Sequence, residues 1–113
     1  MPPEMIAAIQ VATRRKDERS FLIGCAIRRK DGALVTFSNS PCSTQRVPSH
    51  HAEARCARKA DFRSVAYIAR VQKDGKLAMS MPCLSCQNRL RKAGVFTAYY
   101  TNEKGEIEKL VLQ

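Results

Sequence analysis

Val95-Phe96-Thr97-Ala98-Tyr99-Tyr100-Thr101-Asn102-Glu103-Lys104-Gly105-Glu106-Ile107-Glu108-Lys109-Leu110-Val111-Leu112 reads as two β-rich runs separated by one polar turn. The runs are Val95 to Tyr100 and Ile107 to Leu112, and only Thr101 to Glu106 lies between them. Parallel neighbours need a crossover of about a dozen residues or more, so these two strands must form an antiparallel hairpin.

Outward from this hairpin, Cys83 to Ala93 reads as a helix, with Pro82 in its first turn and Gly94 as its stop. Before it, Val65 to Val71 is a strand and Lys73-Asp74-Gly75-Lys76 a turn, after which Leu77 to Met81 extends the sheet up to Pro82. Ser49 is a plausible N-cap for a helix from about His50 to Ala60. Asn39 to Pro48 is a loop rich in Ser, Pro and Thr. Phe21 to Arg28 and Ala33 to Phe37 are strands joined at Asp31-Gly32, a strong hairpin signal. Residues 4 to 16 carry Met5, Ile6, Ile9, Ala12 and Thr13 at helical spacing, with Glu4 near the start and Arg14, Arg15 and Lys16 near the end, as the helix dipole favours. The order α-β-β-α-β-α-β-β predicts an α/β layered domain on a five-stranded sheet.

A length of 113 residues fits a single domain, 1–113, near the small end of what supports an independent core. No apolar run approaches the roughly 18 residues that cross a membrane, and the first residues lack the basic and then apolar regions of a signal peptide. The expected location is cytoplasmic. The five Cys are an odd number. With a C-x-x-C among them, they fit metal binding in a reducing compartment better than a disulfide framework. Cys25 and Cys56 read as buried packing residues, and Cys42 lies in the loop before His51. Twenty Lys+Arg against ten Asp+Glu give +10, which favours a polyanion or a phosphorylated ligand, or else a solubilising surface.

Two short stretches carry the chemistry: His51-Ala52-Glu53 and Pro82-Cys83-Leu84-Ser85-Cys86. His51, Cys83 and Cys86 supply three ligands suited to Zn²⁺, and the fourth metal position stays open for water. Structural zinc sites close all four positions, so an open one points to chemistry on that water. Cys83 and Cys86 are i and i+3, on one helix face and in the first turn, where unpaired backbone N–H groups suit anionic ligands. Two thiolates and a neutral imidazole make the centre formally neutral, so its water is less acidified than in an all-His site and Glu53 must help take the proton. Arg46, Arg55, Arg58 and Lys59 flank the motif and would help hold a phosphate or sugar chain, while His50 reads as a helix N-terminal contact rather than a ligand.

The order H-A-E, then P-C-x-x-C, with each motif opening a helix after a β-segment, resembles the cytidine deaminase superfamily of zinc-dependent deaminases. The resemblance spans nearly the whole chain. It implies a three-layer fold with a five-stranded mixed sheet, helices on both faces and the fourth and fifth strands antiparallel. It also implies one Zn²⁺ per chain and hydrolysis of a cytosine amidine C–N bond. Glu53 would carry the proton from water to the ring nitrogen and the leaving ammonia.

For substrate contacts the resemblance points to Asn39 near the sugar, the Ala52 backbone N–H at the base carbonyl, the Ser80 region at the exocyclic amine, and Tyr100 as a stacking candidate beside Tyr99. It further implies a homo-oligomer, and the lack of a long apolar run leads to an expectation of no membrane association. Two features depart from the family pattern. Lys73 to Lys76 interrupts the approach to Pro82. The short final hairpin is similar to that of free cytidine and blasticidin deaminases or small bacterial toxin deaminases, although the free cytidine enzymes usually have Cys where His51 stands. The leading expectation is deamination of cytosine to uracil on a free (deoxy)cytidine nucleoside or nucleotide. The alternatives are a cytosine deaminase acting on single-stranded DNA or RNA, and an inactive zinc-stabilised nucleic-acid-binding module.

Overall fold

The structure of the chain, a computed structural model, describes residues 1–13, 22–38, 57, 60–61, 63–72 and 74–112. Helix α1 (Pro3–Thr13) leads into strands β1 (Leu22–Arg28), β2 (Leu34–Ser38), β3 (Val65–Val71) and the short β4 (Leu77–Ala78). Helix α2 (Leu84–Lys92) then crosses to β5 (Thr97–Thr101) and β6 (Ile107–Val111). The domain is α/β, on a mixed sheet of order β2-β1-β3-β5-β6 with β4 paired to the end of β3. Among the described residues only β3 and β5 run parallel, the pair that a helical crossover joins. The last two strands pair antiparallel from Thr97↔Val111 to Thr101↔Ile107, as the five residues between them require.

Three hairpins close with the same turn. Arg29 N–H donates to Ala33 O at 2.8 Å, Gln72 N–H to Lys76 O at 2.8 Å and Asn102 N–H to Glu106 O at 2.9 Å. In each, the fourth position is a glycine in the left-handed region: Gly32 at φ 92°, Gly75 at φ 93° and Gly105 at φ 78°. This is the three-residue loop with a left-handed residue before the second strand, and only glycine takes that conformation without cost. Asp31 and Asp74 carboxylates accept the N–H two residues on, while the Asn102 side-chain oxygen accepts from both Lys104 and Glu106.

Period-two alternation divides the core between the two sheet faces. One face packs Cys25, Ile27, Ala66, Ile68, Ala98 and Tyr100 against Leu90 of α2, with Ala57, Val95 and Leu112. The other packs Ala26 and Ala69 against Met5 and Ala8 of α1, and Leu22 and Val71 against Ala12. A helix therefore lies on each face. The inner stripe of α1 is Met5, Ala8, Val11 and Ala12, and Ile6 is 43% exposed, contrary to the expectation that Ile6 faces the core. Gly24 explains the shift. Any Cβ there would run into the Ala8 carbonyl oxygen, so helix and strand meet backbone to backbone and small residues fill the seam. Among the described residues no helix is long and apolar enough to cross a membrane.

The strand expected over Leu77 to Met81 is a correction. Only Leu77 and Ala78 pair, with Val71 and Arg70, because the next residues turn in between β3 and β5. Cys83 is likewise the N-cap of α2 rather than a helical residue, and Pro82 precedes it. Of the helix expected from His50 to Ala60, Ala57 is described as helical and buried, and most of the rest lies outside the described residues.

Candidate metal centre

The parallel β3–β5 ladder runs from Val65↔Thr97 to Ile68↔Tyr100. Beyond it the strands part, and the space is filled by two buried hydroxyls. Ser80 Oγ lies 2.9 Å from Ile68 O and 2.9 Å from Thr101 Oγ1, and accepts the Thr101 N–H at 2.8 Å. Thr101 Oγ1 donates to Ala78 O at 2.7 Å and accepts the Arg70 N–H at 3.3 Å. The Ser80 N–H donates to Thr101 O at 2.9 Å. The Ser80 side chain is thus a pin between strands, and its carbonyl has no hydrogen-bond partner among the described residues.

This pin fixes the chain three residues ahead of Cys83, outside the carboxyl ends of the parallel strands, where open α/β sheets place their ligand crevices. From Ala78 to Cys83 burial alternates, with Ala78, Ser80 and Pro82 inward and Met79, Met81 and Cys83 outward. Helix α2 starts at once. Gln87 N–H donates to Cys83 O at 2.8 Å, and the Gln87 side-chain amide donates to Pro82 O at 2.9 Å.

Cys83, at the N-cap with φ −66° and ψ 165°, is exposed, and its sulfur makes no capping bond to the helix. Cys86 is fully buried one turn on. The far end of α2 is locked by Gly94 at φ 99°, with Val95 N–H donating to Leu90 O at 3.0 Å and Gly94 N–H to Arg91 O at 3.1 Å. The two thiols therefore sit on the rigid first turn of a helix anchored at both ends. Their softness and i, i+3 spacing fit a zinc ion, and two sulfurs alone leave coordination positions to fill.

His51, Ala52, Glu53 and Asn39 lie outside the described residues, as does His50. Among the described residues no three His, Cys, Asp or Glu side chains gather at one point. The structure brings together Ser80, Cys83 and Cys86 by chain continuity. Tyr100 sits in the core on the α2 face, 9% exposed. Tyr99 points to the other face and stacks on Tyr67, ring centroids 5.3 Å apart. Sequence reading missed Thr101, fully buried and bonded through its hydroxyl to the backbone of both β3 and β4, because a threonine in a strand carries no distinguishing signal.

Beside Ser80, a cleft of about 360 Å³ opens between Met79 and the last hairpin, lined by Asn102, Glu103, Lys104, Glu106 and Glu108. Its charged rim holds three carboxylates and one ammonium. Comparison of the sequence with protein-family models gives no match, and comparison with curated proteins gives none.

Proposed function

We propose that the protein is a zinc-dependent hydrolytic deaminase that converts cytosine to uracil on a free (deoxy)cytidine nucleoside or nucleotide, on a three-layer cytidine deaminase-like fold. The observation that carries the reading is the placement of Cys83 and Cys86. They occupy the N-cap and first turn of α2 at the point where the parallel strands part. Cys83 and Cys86, with His51, would hold the metal. Bound zinc supplies a Lewis acid that makes water a nucleophile near neutral pH.

The chain's own residues do the rest. Glu53 takes one proton from water and delivers it to the ring nitrogen, then takes the second from the hydroxyl added at the amidine carbon and delivers it to the amine, which departs as ammonia, a relay worth about 10²–10⁴-fold in rate. The Ser80 carbonyl, with its N–H and hydroxyl already engaged, accepts from the exocyclic amine. The Ala52 N–H binds the base carbonyl and Asn39 the sugar. Tyr100 presents little ring to a ligand and contributes by packing beneath α2.

The antiparallel β5–β6 pair and the carboxylate-rich cleft beside Ser80 favour a small substrate over a polynucleotide. The test is ammonia release from cytidine, deoxycytidine, their monophosphates and an oligonucleotide, using zinc-loaded protein. Turnover of a free nucleoside or nucleotide, lost in Glu53→Ala with zinc still bound, supports the reading. Turnover of the oligonucleotide alone, or a Cys83→Ala protein with full zinc occupancy, overturns it.

A further inference from the structure

The positive charge of the described residues is concentrated at the end of the sheet away from Cys83. There the β1–β2 turn, the segment before β3 and the C-terminus of α2 are stitched together. Lys30 N–H donates to Asp61 Oδ1 at 3.1 Å, and Arg63 N–H donates to Gly94 O at 2.8 Å. This pole holds six Lys and Arg side chains against two carboxylates, Asp31 and Asp61. The remaining described residues carry five of each sign. All of the described positive excess therefore sits on one surface.

Three of the six cations, Arg29, Arg91 and Arg63, are already engaged. Arg29 lies between Asp31 at 3.4 Å and Asp61 at 3.7 Å, and Arg91 donates to Leu112 O at 2.8 Å, a bond that also ties the chain's end to α2. Lys30, Arg89 and Lys92 are exposed and have no carboxylate partner among the described residues. Arg89 and Lys92 are i and i+3 and share a helix face. Arg63 is the one described non-glycine residue with a positive φ, 69°. Its guanidinium lies over the Phe96 ring, 5.8 Å from the centroid. A left-handed backbone is strained for an ordinary residue, and here it is held by the bond to Gly94.

We infer that this pole is a binding surface for the phosphate backbone of single-stranded nucleic acid, separate from the metal centre. Lys30, Arg89 and Lys92 neutralise phosphates, and the Arg63–Phe96 pair offers a planar platform on which a base stacks. On β3, Val65 to Ile68 separates the pole from Ser80, roughly 10 Å at strand rise, and along α2 Arg89 and Lys92 stand roughly 9 and 14 Å from Cys83 at helical rise. A strand held here meets the pole beside the candidate centre rather than at it.

The test is fluorescence anisotropy with a labelled single-stranded oligodeoxynucleotide of mixed sequence at about 50 and about 200 mM salt, the range over which phosphate contacts weaken steeply. Arg89→Gln/Lys92→Gln is expected to weaken binding roughly tenfold at the lower salt and to flatten its salt dependence, with Lys30→Gln weakening it about threefold. Phe96→Leu is expected to weaken binding of the single strand several-fold and of a duplex less. Lys76→Gln/Lys104→Gln, at the other end of the sheet, is the control and should change affinity less than about twofold. Equal weakening by the control, unchanged binding in Arg89→Gln/Lys92→Gln and Lys30→Gln, or tighter binding to anionic phospholipid vesicles than to the oligonucleotide would overturn the inference. The readout is binding alone, so it stands or falls independently of cytidine turnover.

Discussion

The β3–β4 and β5–β6 hairpins close with the same turn and then diverge. After Gly105 the chain pairs over five residues, whereas after Gly75 it pairs over two. The turn chemistry does not separate them, since both have a left-handed glycine at the same place. What differs is the strand they return to. β5 has a free edge for β6 along its whole length, whereas β3 is already flanked by β1 and β5. β4 can occupy only the short stretch beyond the parallel ladder, so the chain leaves early through Ser80 and delivers Cys83 to the strand ends. A hairpin cut short is what builds the candidate site.

The sharpest way to break this contrast is at the hydroxyl pin. Ser80→Ala and Thr101→Val each leave buried groups unpaired and should cost about 2–3 kcal/mol in urea unfolding, with Thr101→Ser close to the parent. If Thr101→Val is as stable as Thr101→Ser, the pin does not hold β4 away from β5. Gly75→Ala and Gly105→Ala should each cost about 1–2 kcal/mol, from backbone strain alone, since nothing lies within 4 Å of either added Cβ. Only Gly75→Ala should also reduce zinc retained after dialysis, and equal losses in both would erase the functional distinction between the hairpins.

Smaller again is the side-chain support of the two turns. Asn102→Ala removes two backbone contacts and Asp74→Ala one, so about 1 and about 0.5 kcal/mol are expected by thermal unfolding.

The smallest effect concerns Tyr67 on β3, in register with Tyr99 on β5. Burial, and then the nearby Glu4 carboxylate, raise its phenol above 10.0. The unfolded chain therefore loses this proton first, and the contribution is present below about pH 10 and lost as pH rises through the folded value. Tyr67→Phe should unfold with a shallower decline above pH 10 than the parent, and parallel curves would refute the assignment.

Much of this was legible in the sequence. The three Asp-Gly or Lys-Gly turns, the helix ending at Gly94 and the antiparallel last pair follow from local chemistry and chain length. The extent of β4 does not, because Leu77 to Met81 alternates like a strand and only the crowding of β3 ends it. Nor does the outward Ile6, since the axis of α1 is set by the contact at Gly24. Cys86 stands on the first turn of a helix, and Cys83 stands one place outside it, at the N-cap. Ser80 appeared as a substrate neighbour, but its hydroxyl serves the fold, and its partner Thr101 is 21 residues distant in the chain, beyond any local pattern.

The outer strand β6 has a consequence for how copies of the chain can meet. An exposed sheet edge is a template for another strand. Joining two β6 strands antiparallel about a two-fold axis keeps the faces of the sheet aligned, so residue 109 faces its own copy when Ile107–Val111 overlaps fully. It is exposed, and the alignment sets lysine against lysine. The sequence Ile-Glu-Lys-Leu-Val thus resists edge-on growth of the sheet into fibres in its most fully overlapped alignment.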